Sequence, residues 1–218
     1  MQQPVTSVIF DYGGVLSLPV APDSLRVLAD LTCLAPDRFA AEHMRERLAY
    51  DRADIGLERY WSRFLALSGR AADPALLERL NREDLRGWSR INDRVLSWSR
   101  RLRAAGFRTA ILSNMPQPLL DLMNADPAFA WLAEFPVRVF SCEERLVKPE
   151  PGIYRAVLDR LGARAGSCVF LDDSEHNVEG ARGAGIRALH FRSAAEAAGE
   201  LAALGLPVAG LNKGEAGS

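Results

Sequence analysis

The nine residues from Val8 to Leu16 read VIFDYGGVL and decide the fold. An apolar strand predicted over Thr6 to Phe10 ends on the carboxylate of Asp11, and the chain leaves the sheet through Gly13 and Gly14. Open α/β sheets bind ligands at the carboxyl ends of their strands. Asp11 is therefore a candidate nucleophile, and an aspartate that only accepts local backbone hydrogen bonds is the alternative.

Three further polar segments follow the first in a fixed order, each next to an apolar run of the kind that forms a buried strand. They are Ser113 and Asn114 after 107–112, Lys148 at the start of a Lys-Pro-Glu-Pro stretch, and Asp172, Asp173 and Ser174 after 167–171. We expect these groups to meet Asp11 across one crevice at the edge of the sheet.

Together these segments resemble the four-motif signature of the haloacid dehalogenase-like (HAD) hydrolase superfamily, from about Val5 to about Arg192. The first motif is similar to that of small-molecule phosphatases, some of which act on sugar 1-phosphates. The resemblance implies an α/β fold with a Rossmann-like, mostly parallel sheet, helices on both faces and an inserted all-helical cap domain. It also implies Mg²⁺-dependent removal of phosphate from a small phosphorylated metabolite through an aspartyl-phosphate intermediate.

Hydrophobic periodicity predicts how the chain is divided. The pattern is helical from about 23 to 89 and indicates about four helices, with Phe39, Met44 and Leu48 among the expected core positions of this insertion. Strands and helices alternate afterwards, which favours a parallel sheet. We therefore assign 1–19 and 90–204 to the catalytic core, 20–89 to the helical insertion and 205–218 to a flexible tail.

Composition excludes several classes of protein. The 218 residues are 48% hydrophobic, and a net charge of −1 with no basic stripe argues against nucleic-acid or anionic-membrane partners. Neither a membrane-spanning run nor a signal-peptide pattern is recognisable. The unpaired spacing of Cys33, Cys142 and Cys168 predicts a reducing, cytoplasmic environment. The oligomeric state stays open.

Lysine is almost absent from the chain. Only Lys148 and Lys213 are lysines among the 27 basic residues, and the other 25 are arginines. A lysine before Pro149 in such a chain indicates a site for a compact ammonium, which the wide guanidinium of arginine cannot replace.

A phosphoryl-transfer site needs a nucleophile and positive charge around the phosphoryl oxygens. Asp11 serves as the predicted nucleophile, which gives an aspartyl phosphate. Asp172 and Asp173 supply hard oxygen ligands for Mg²⁺ together with Asp11, and Asp173 is favoured as the direct ligand of the pair. The family adds the backbone carbonyl of Gly13 as a ligand.

The remaining predicted site residues surround the phosphoryl group or support the metal loop. Ser113 and Lys148 are expected to stabilise developing charge, and Asn114 and Gly14 to bind substrate. Asn177 matches a family position that steadies the metal loop.

The histidines and one arginine are given ordinary roles. His43, His176 and His190 are interpreted as insertion surface, helix surface and strand end, and Arg52 either reaches substrate or ends a helix at the surface.

Gly13 departs from the family pattern. Most phosphatases of this superfamily carry there a second aspartate that protonates the leaving group. General acid–base help is worth roughly 10²–10⁴-fold in rate, so its loss disfavours basic leaving groups. Anomeric and acyl phosphates suffer least, which makes a sugar 1-phosphate the preferred substrate.

Two alternative functions remain open. A metal-independent haloacid dehalogenase-type hydrolase also uses an aspartate nucleophile, but it needs no pair equivalent to Asp172 and Asp173. A catalytically weak phospho-acceptor or binding module would explain the missing acid at Gly13.

Overall fold

A five-stranded parallel sheet forms the centre of the protein in this computed structural model, which describes residues 3–208. The strand order is β3-β2-β1-β4-β5, and every neighbouring pair is parallel. The strands are β1 (Ser7–Phe10), β2 (Arg108–Ser113), β3 (Val137–Phe140), β4 (Cys168–Asp172) and β5 (Arg187–His190). The predicted α/β fold is confirmed, and the central position of β1 places the end of its strand between those of β2 and β4.

The described residues contain ten α-helices. They are α1 (Pro22–Thr32), α2 (Pro36–Asp51), α3 (Leu57–Leu67), α4 (Pro74–Trp88), α5 (Asp93–Ala104), α6 (Gln117–Ala125), α7 (Ser141–Glu144), α8 (Pro151–Leu161), α9 (Glu175–Gly183) and α10 (Ala194–Ala203). Across residues 3–208, none combines the length and the apolar character that crossing a bilayer requires.

Both faces of the sheet are covered because side chains alternate along each strand. Val8 and Phe10 of β1 pack into a cluster with α5, α6 and α10, whereas Ile9 packs on the other face with α8 and α9. The buried Cys168 of β4 belongs to the second cluster. This two-sided burial explains why the strands read as nearly continuous apolar runs.

The inserted helices α1 to α4 have an apolar core of their own, centred on Phe39, Tyr60, Trp61 and Phe64. The expectation that Met44 and Leu48 belong to it is wrong, because these side chains are 74% and 48% exposed. The physical reason lies on α2, whose inward face is taken by aromatic residues and by charged side chains that pair with α4.

The two connections between the insertion and the core run side by side. Ser17 and Ile91 form an antiparallel bridge, and the backbone N–H of Leu18 donates to the carbonyl of Arg90 at 2.7 Å. The N–H of Asn92 donates to the carbonyl of Leu16 at 2.8 Å. The chain therefore leaves and re-enters the core at one place, directly after the loop that follows β1.

The expected flexible tail 205–218 is wrong at its beginning. Leu206 and Val208 are buried in the cluster that α5 and α10 share, and Arg101 of α5 donates to the carbonyl of Val208 at 3.3 Å. Two apolar side chains thus continue the packing after α10 ends. The remainder of the predicted tail, 209–218, lies outside the described residues.

Candidate active site

The carboxyl ends of β1, β2 and β4 bring the predicted polar residues together. Asp11 directly follows β1, Ser113 ends β2 and Asp172 ends β4. The N–H of Asp11 donates to the carbonyl of Leu171 at 2.9 Å, so the ladder between β1 and β4 continues to the nucleophile candidate. Ser113 and Asp172 are buried, and Asp11 is buried except for the edge that faces a cavity.

Lys148 lies between two of these carboxylates. Its buried ammonium nitrogen Nζ is 2.8 Å from Asp11 Oδ1 and 2.6 Å from Asp172 Oδ2. Burial alone would lower the pKa of Lys148, but the charges of Asp11 and Asp172 outweigh it and raise that pKa. The ammonium is therefore charged at neutral pH and joins the ends of β1 and β4.

The amide of Asn114 fixes the backbone of Lys148. Asn114 Oδ1 accepts the N–H of Lys148 at 2.8 Å, and its Nδ2 donates to the carbonyl of Lys148 at 3.1 Å. The peptide bond between Lys148 and Pro149 is cis. Asn114 thus positions Lys148 from the end of β2, and its predicted contact with substrate stays a prediction.

Asp172 has little free capacity to accept further hydrogen bonds. Besides Lys148, its carboxylate accepts the N–H of Ser174 at 2.9 Å and the amide of Asn177 at 3.0 and 3.2 Å. Ser174 stands at the N-cap position of α9, but its side chain makes no capping hydrogen bond. Asn177 holds the Asp172 carboxylate in place.

Asp173 faces Gly14 across a very short distance. Gly14 has a φ of +67°, and a Cβ at this position would lie 2.2 Å from Asp173 Oδ2. The N–H of Gly14 donates to Ser17 Oγ at 3.3 Å. Only glycine fits here on both conformational and steric grounds, and its absent side chain leaves the space that the Asp173 carboxylate occupies.

His190 supports the same loop, a role that its position at the strand end did not indicate. Its Nε2 lies 3.0 Å from the carbonyl oxygen of Asp173, and its Nδ1 lies 2.6 Å from Glu175 Oε2. The Asp173 backbone is therefore held from β5.

Three carboxylates with one ammonium give this site an excess of negative charge. Carboxylate oxygens of Asp11, Asp172 and Asp173 lie within 4.8 Å of one another. Burial raises the pKa of Asp11, the charge of Lys148 opposes this rise, and the neighbouring charges of Asp172 and Asp173 add to it. Burial and Asp172 also raise the pKa of Asp173. Hard oxygen donors with uncompensated negative charge fit a divalent cation such as Mg²⁺.

Gly13 is covered by an aromatic ring. Its φ of −62° is open to any residue, but a Cβ would lie 3.1 Å from Cζ3 of Trp88, the last residue of α4. Tyr12 Oη donates to the carbonyl of Trp88 at 2.5 Å. The indole therefore lies where the side chain of a second aspartate would begin.

A cavity of about 320 Å³ opens between this cluster and the insertion. Its walls combine residues of the carboxylate cluster with side chains from α1, α2, α4 and α6. The lining comprises Asp11, Tyr12, Gly13, Gly14, Pro19, Val20, Leu25, His43, Met44, Arg47, Asp51, Trp88, Asn114, Leu119 and Asp173.

Comparison with known proteins identifies the family to which the chain belongs. The family model of haloacid dehalogenase-like hydrolases matches residues 5–185. The chain belongs to this family. The segments around Asp11, Ser113, Lys148 and Asp172 are those that carry the sequence resemblance.

Similar proteins include both curated relatives and solved structures. The Rattus norvegicus "Bifunctional epoxide hydrolase 2" is 36% identical over 115 residues, which are 51% of this chain and 20% of that protein. "Phosphatase MT3486" of Mycobacterium tuberculosis is 51% identical over 41 residues, or 19% of each chain. The HAD-like hydrolase therefore spans only a fraction of the length of these relatives.

A HAD family enzyme of Bacteroides thetaiotaomicron, bt-2542, has the same fold. It superposes with a TM-score of 0.70 at 18% identity over 88% of this chain and 96% of its own. Its Asp12Ala mutant, solved in complex with magnesium and inorganic phosphate, gives a TM-score of 0.68 at 18% identity, over 88% of this chain and 98% of its own. At this identity the likeness shows the fold of the HAD-like hydrolase alone.

Several residues of the cavity were not found from the sequence. Trp88 was absent from the predicted site, and His43, expected at the surface, is half-buried and lines the cavity. The spacing of Arg47 and Asp51 by four residues on one helix is the signal that could have found the buried charges. Arg52 stands at the C-terminal end of α2, the second of its two predicted roles, and pairs with Glu150.

Replacing Gly14 should damage the HAD-like hydrolase more than replacing Gly13. Gly14→Ala combines a left-handed backbone, which costs about 1–2 kcal/mol for a residue with a Cβ, with a collision with Asp173. Gly13→Ala needs only a small shift of Trp88. Urea denaturation of both variants measures the difference in the free energy of unfolding, and equal losses would contradict the steric role of Gly14.

Proposed function

We propose that this HAD-like hydrolase is a Mg²⁺-dependent phosphatase of a small phosphorylated metabolite. The observation that carries the proposal is the ammonium of Lys148 between Asp11 and Asp172, with Asp173 beside them and outside that ion pair. This arrangement offers a nucleophile, a fixed positive charge and a free hard ligand at one point. Membership of a hydrolase family supports it.

The residues of the chain divide the chemistry between them. Asp11 attacks phosphorus, the ester oxygen leaves with its electron pair, and an aspartyl phosphate forms; water then attacks phosphorus and releases inorganic phosphate. Lys148 and Ser113 stabilise charge on the phosphoryl oxygens. Lys148 also holds the Asp11 carboxylate by a hydrogen bond, which fixes its direction.

Asp11, Asp173 and the carbonyl of Gly13 would hold Mg²⁺, and Asp172 completes the set. When bound, the cation neutralises the charge of phosphate and carboxylates as the two anions meet. Asp173 is the better direct ligand, because the oxygens of Asp172 already accept hydrogen bonds from three protein groups.

A sugar 1-phosphate is the preferred substrate within this proposal. Gly13 provides no acid for the leaving group, and Trp88 fills the space of such a side chain. A leaving group of low basicity needs the least protonation. The flat indole also offers a surface for the apolar face of a sugar or an aryl ring.

The two alternatives make different demands on the same residues. A dehalogenase needs no metal and would leave the excess charge of Asp172 and Asp173 unexplained. A phospho-acceptor module would take up one phosphoryl group at Asp11 without turnover. Steady release of phosphate that stops on chelation separates the phosphatase from both.

Asp11→Asn should abolish phosphatase activity. The amide is almost isosteric but does not form an acyl phosphate, so we expect kcat to fall on the order of 10³-fold or more. The assay is phosphate release from para-nitrophenyl phosphate with Mg²⁺, and Asp121→Asn on the exposed side of α6 is the control. Substantial activity in the Asp11 variant would remove Asp11 as nucleophile.

Lys148→Arg should also be severe. A planar guanidinium does not fit between carboxylates 2.8 and 2.6 Å from one buried nitrogen, and the loss should resemble that of an oxyanion donor, about 2.7–4 kcal/mol in kcat. Arg145→Lys, an exchange in the opposite direction at an exposed site of the same loop, is the control. Normal kinetics of Lys148→Arg would refute the need for a compact ammonium.

The rate should depend steeply on the basicity of the leaving group. Without a carboxylate at Gly13, kcat/KM should be higher for aryl, acyl and anomeric phosphates than for alkyl phosphates. A leaving-group series on the native enzyme measures the slope. A flat series would mean that another residue supplies the proton.

A further inference from the structure

The roof of the cavity contains one buried cation, Arg47 of α2. Among the lining residues that the structure describes, it is the only lysine or arginine. Its side chain is 13% exposed. A substrate whose leaving group carried a second phosphate or a carboxylate would need a free cation here, so the partners of Arg47 decide which substrates fit.

The guanidinium of Arg47 pairs with two carboxylates of the insertion, Asp51 and Asp84. Its Nε donates to Asp51 Oδ1 at 2.9 Å, and its Nη1 contacts both oxygens of Asp84 at 3.3 and 3.1 Å. The guanidinium also lies over the rings of Trp88 and Tyr50, at 5.5 and 5.8 Å from their centroids. Two acidic partners around one base leave this group with one excess negative charge.

His43 does not offset that charge. Its Nδ1 lies 2.8 Å from Tyr60 Oη. Burial, followed by the neighbouring charge of Arg47, lowers the pKa of His43 to about 4. The imidazole is therefore neutral at pH 7 and offers hydrogen bonding without a positive charge.

The other walls around the leaving group are apolar. They are Pro19, Val20, Leu25, Met44, Trp88 and Leu119. An anion placed among them would lose hydration without gaining a cationic partner, and it would face the excess negative charge of the Arg47 group.

We propose that the substrates are monophosphate esters with an uncharged leaving group, and that Arg47, Asp51 and Asp84 exclude leaving groups that carry a second anion. The inference rests on the proposed phosphatase function and narrows its substrate class. A sugar 1-phosphate without further charge satisfies it, as does an aryl phosphate. Sugar bisphosphates and phosphorylated carboxylic acids do not.

Pairs of substrates that differ by one charge test the inference. Glucose 1-phosphate is compared with glucuronic acid 1-phosphate, and para-carbamoylphenyl phosphate with para-carboxyphenyl phosphate, all at pH 7 with Mg²⁺. The members of each pair have nearly the same shape. We expect kcat/KM to be about 10- to 100-fold lower for the carboxylate member of each pair.

Asp84→Asn assigns the effect to this group of charges. Asp84 does not line the cavity, but it is one of the two carboxylates that pair with Arg47. Its replacement should therefore bring kcat/KM for the charged substrate to within about threefold of that for the uncharged one. Glu78→Gln removes the same charge from the exposed side of α4 and should leave the ratio unchanged. A ratio of rates does not depend on the amount of folded enzyme; if Asp84→Asn does not fold, Asp51→Asn removes the equivalent charge and has the same expected result.

The outcomes separate the two levels of the argument. Equal kcat/KM for charged and uncharged members overturns the charge exclusion while the phosphatase stands. A ratio that Asp84→Asn and Glu78→Gln change equally overturns the assignment to Arg47 and its partners. If no phosphate ester is hydrolysed with Mg²⁺, the proposed function itself fails, and the inference fails with it.

Discussion

The ion pairs of Lys148 hold the candidate active site together. Its ammonium is buried between Asp11 and Asp172, which end two neighbouring strands, and its backbone is held by Asn114 after a third. A lysine in this place is tolerable because two carboxylates compensate its desolvation. The same two carboxylates repel each other less because the lysine is there. The arrangement of the carboxylates at this edge of the sheet therefore depends on the ammonium of Lys148, which lies in a loop.

The insertion contains a second cation that is paired with two carboxylates. Arg47 also lies between two carboxylates, Asp51 and Asp84. The cluster around Lys148 has a third carboxylate, Asp173, outside its ion pairs. In the Arg47 group, both carboxylates pair with the guanidinium. Both groups carry an excess of negative charge, but only the cluster around Lys148 has a carboxylate outside its ion pairs.

The sequence predicted the strand-end residues well because parallel strands place their ends together. Asp11, Ser113 and Asp172 each follow or end a buried apolar run, and that pattern is visible without a structure. Trp88 and Arg47 were missed because their importance comes from packing between the insertion and the core. Met44 was misassigned for a related reason, since a helix that buries charged pairs turns apolar side chains outward.

The paired connections of the insertion have a mechanical consequence for the loop after the nucleophile. One connection continues directly from Gly13 and Gly14, and the other begins after Trp88, whose carbonyl accepts the hydroxyl of Tyr12. Any rotation of the four helices therefore acts on both sides of the same short loop. In the proposed phosphatase, this loop would transmit contacts between the leaving group and the helices to the carboxylate of Asp11.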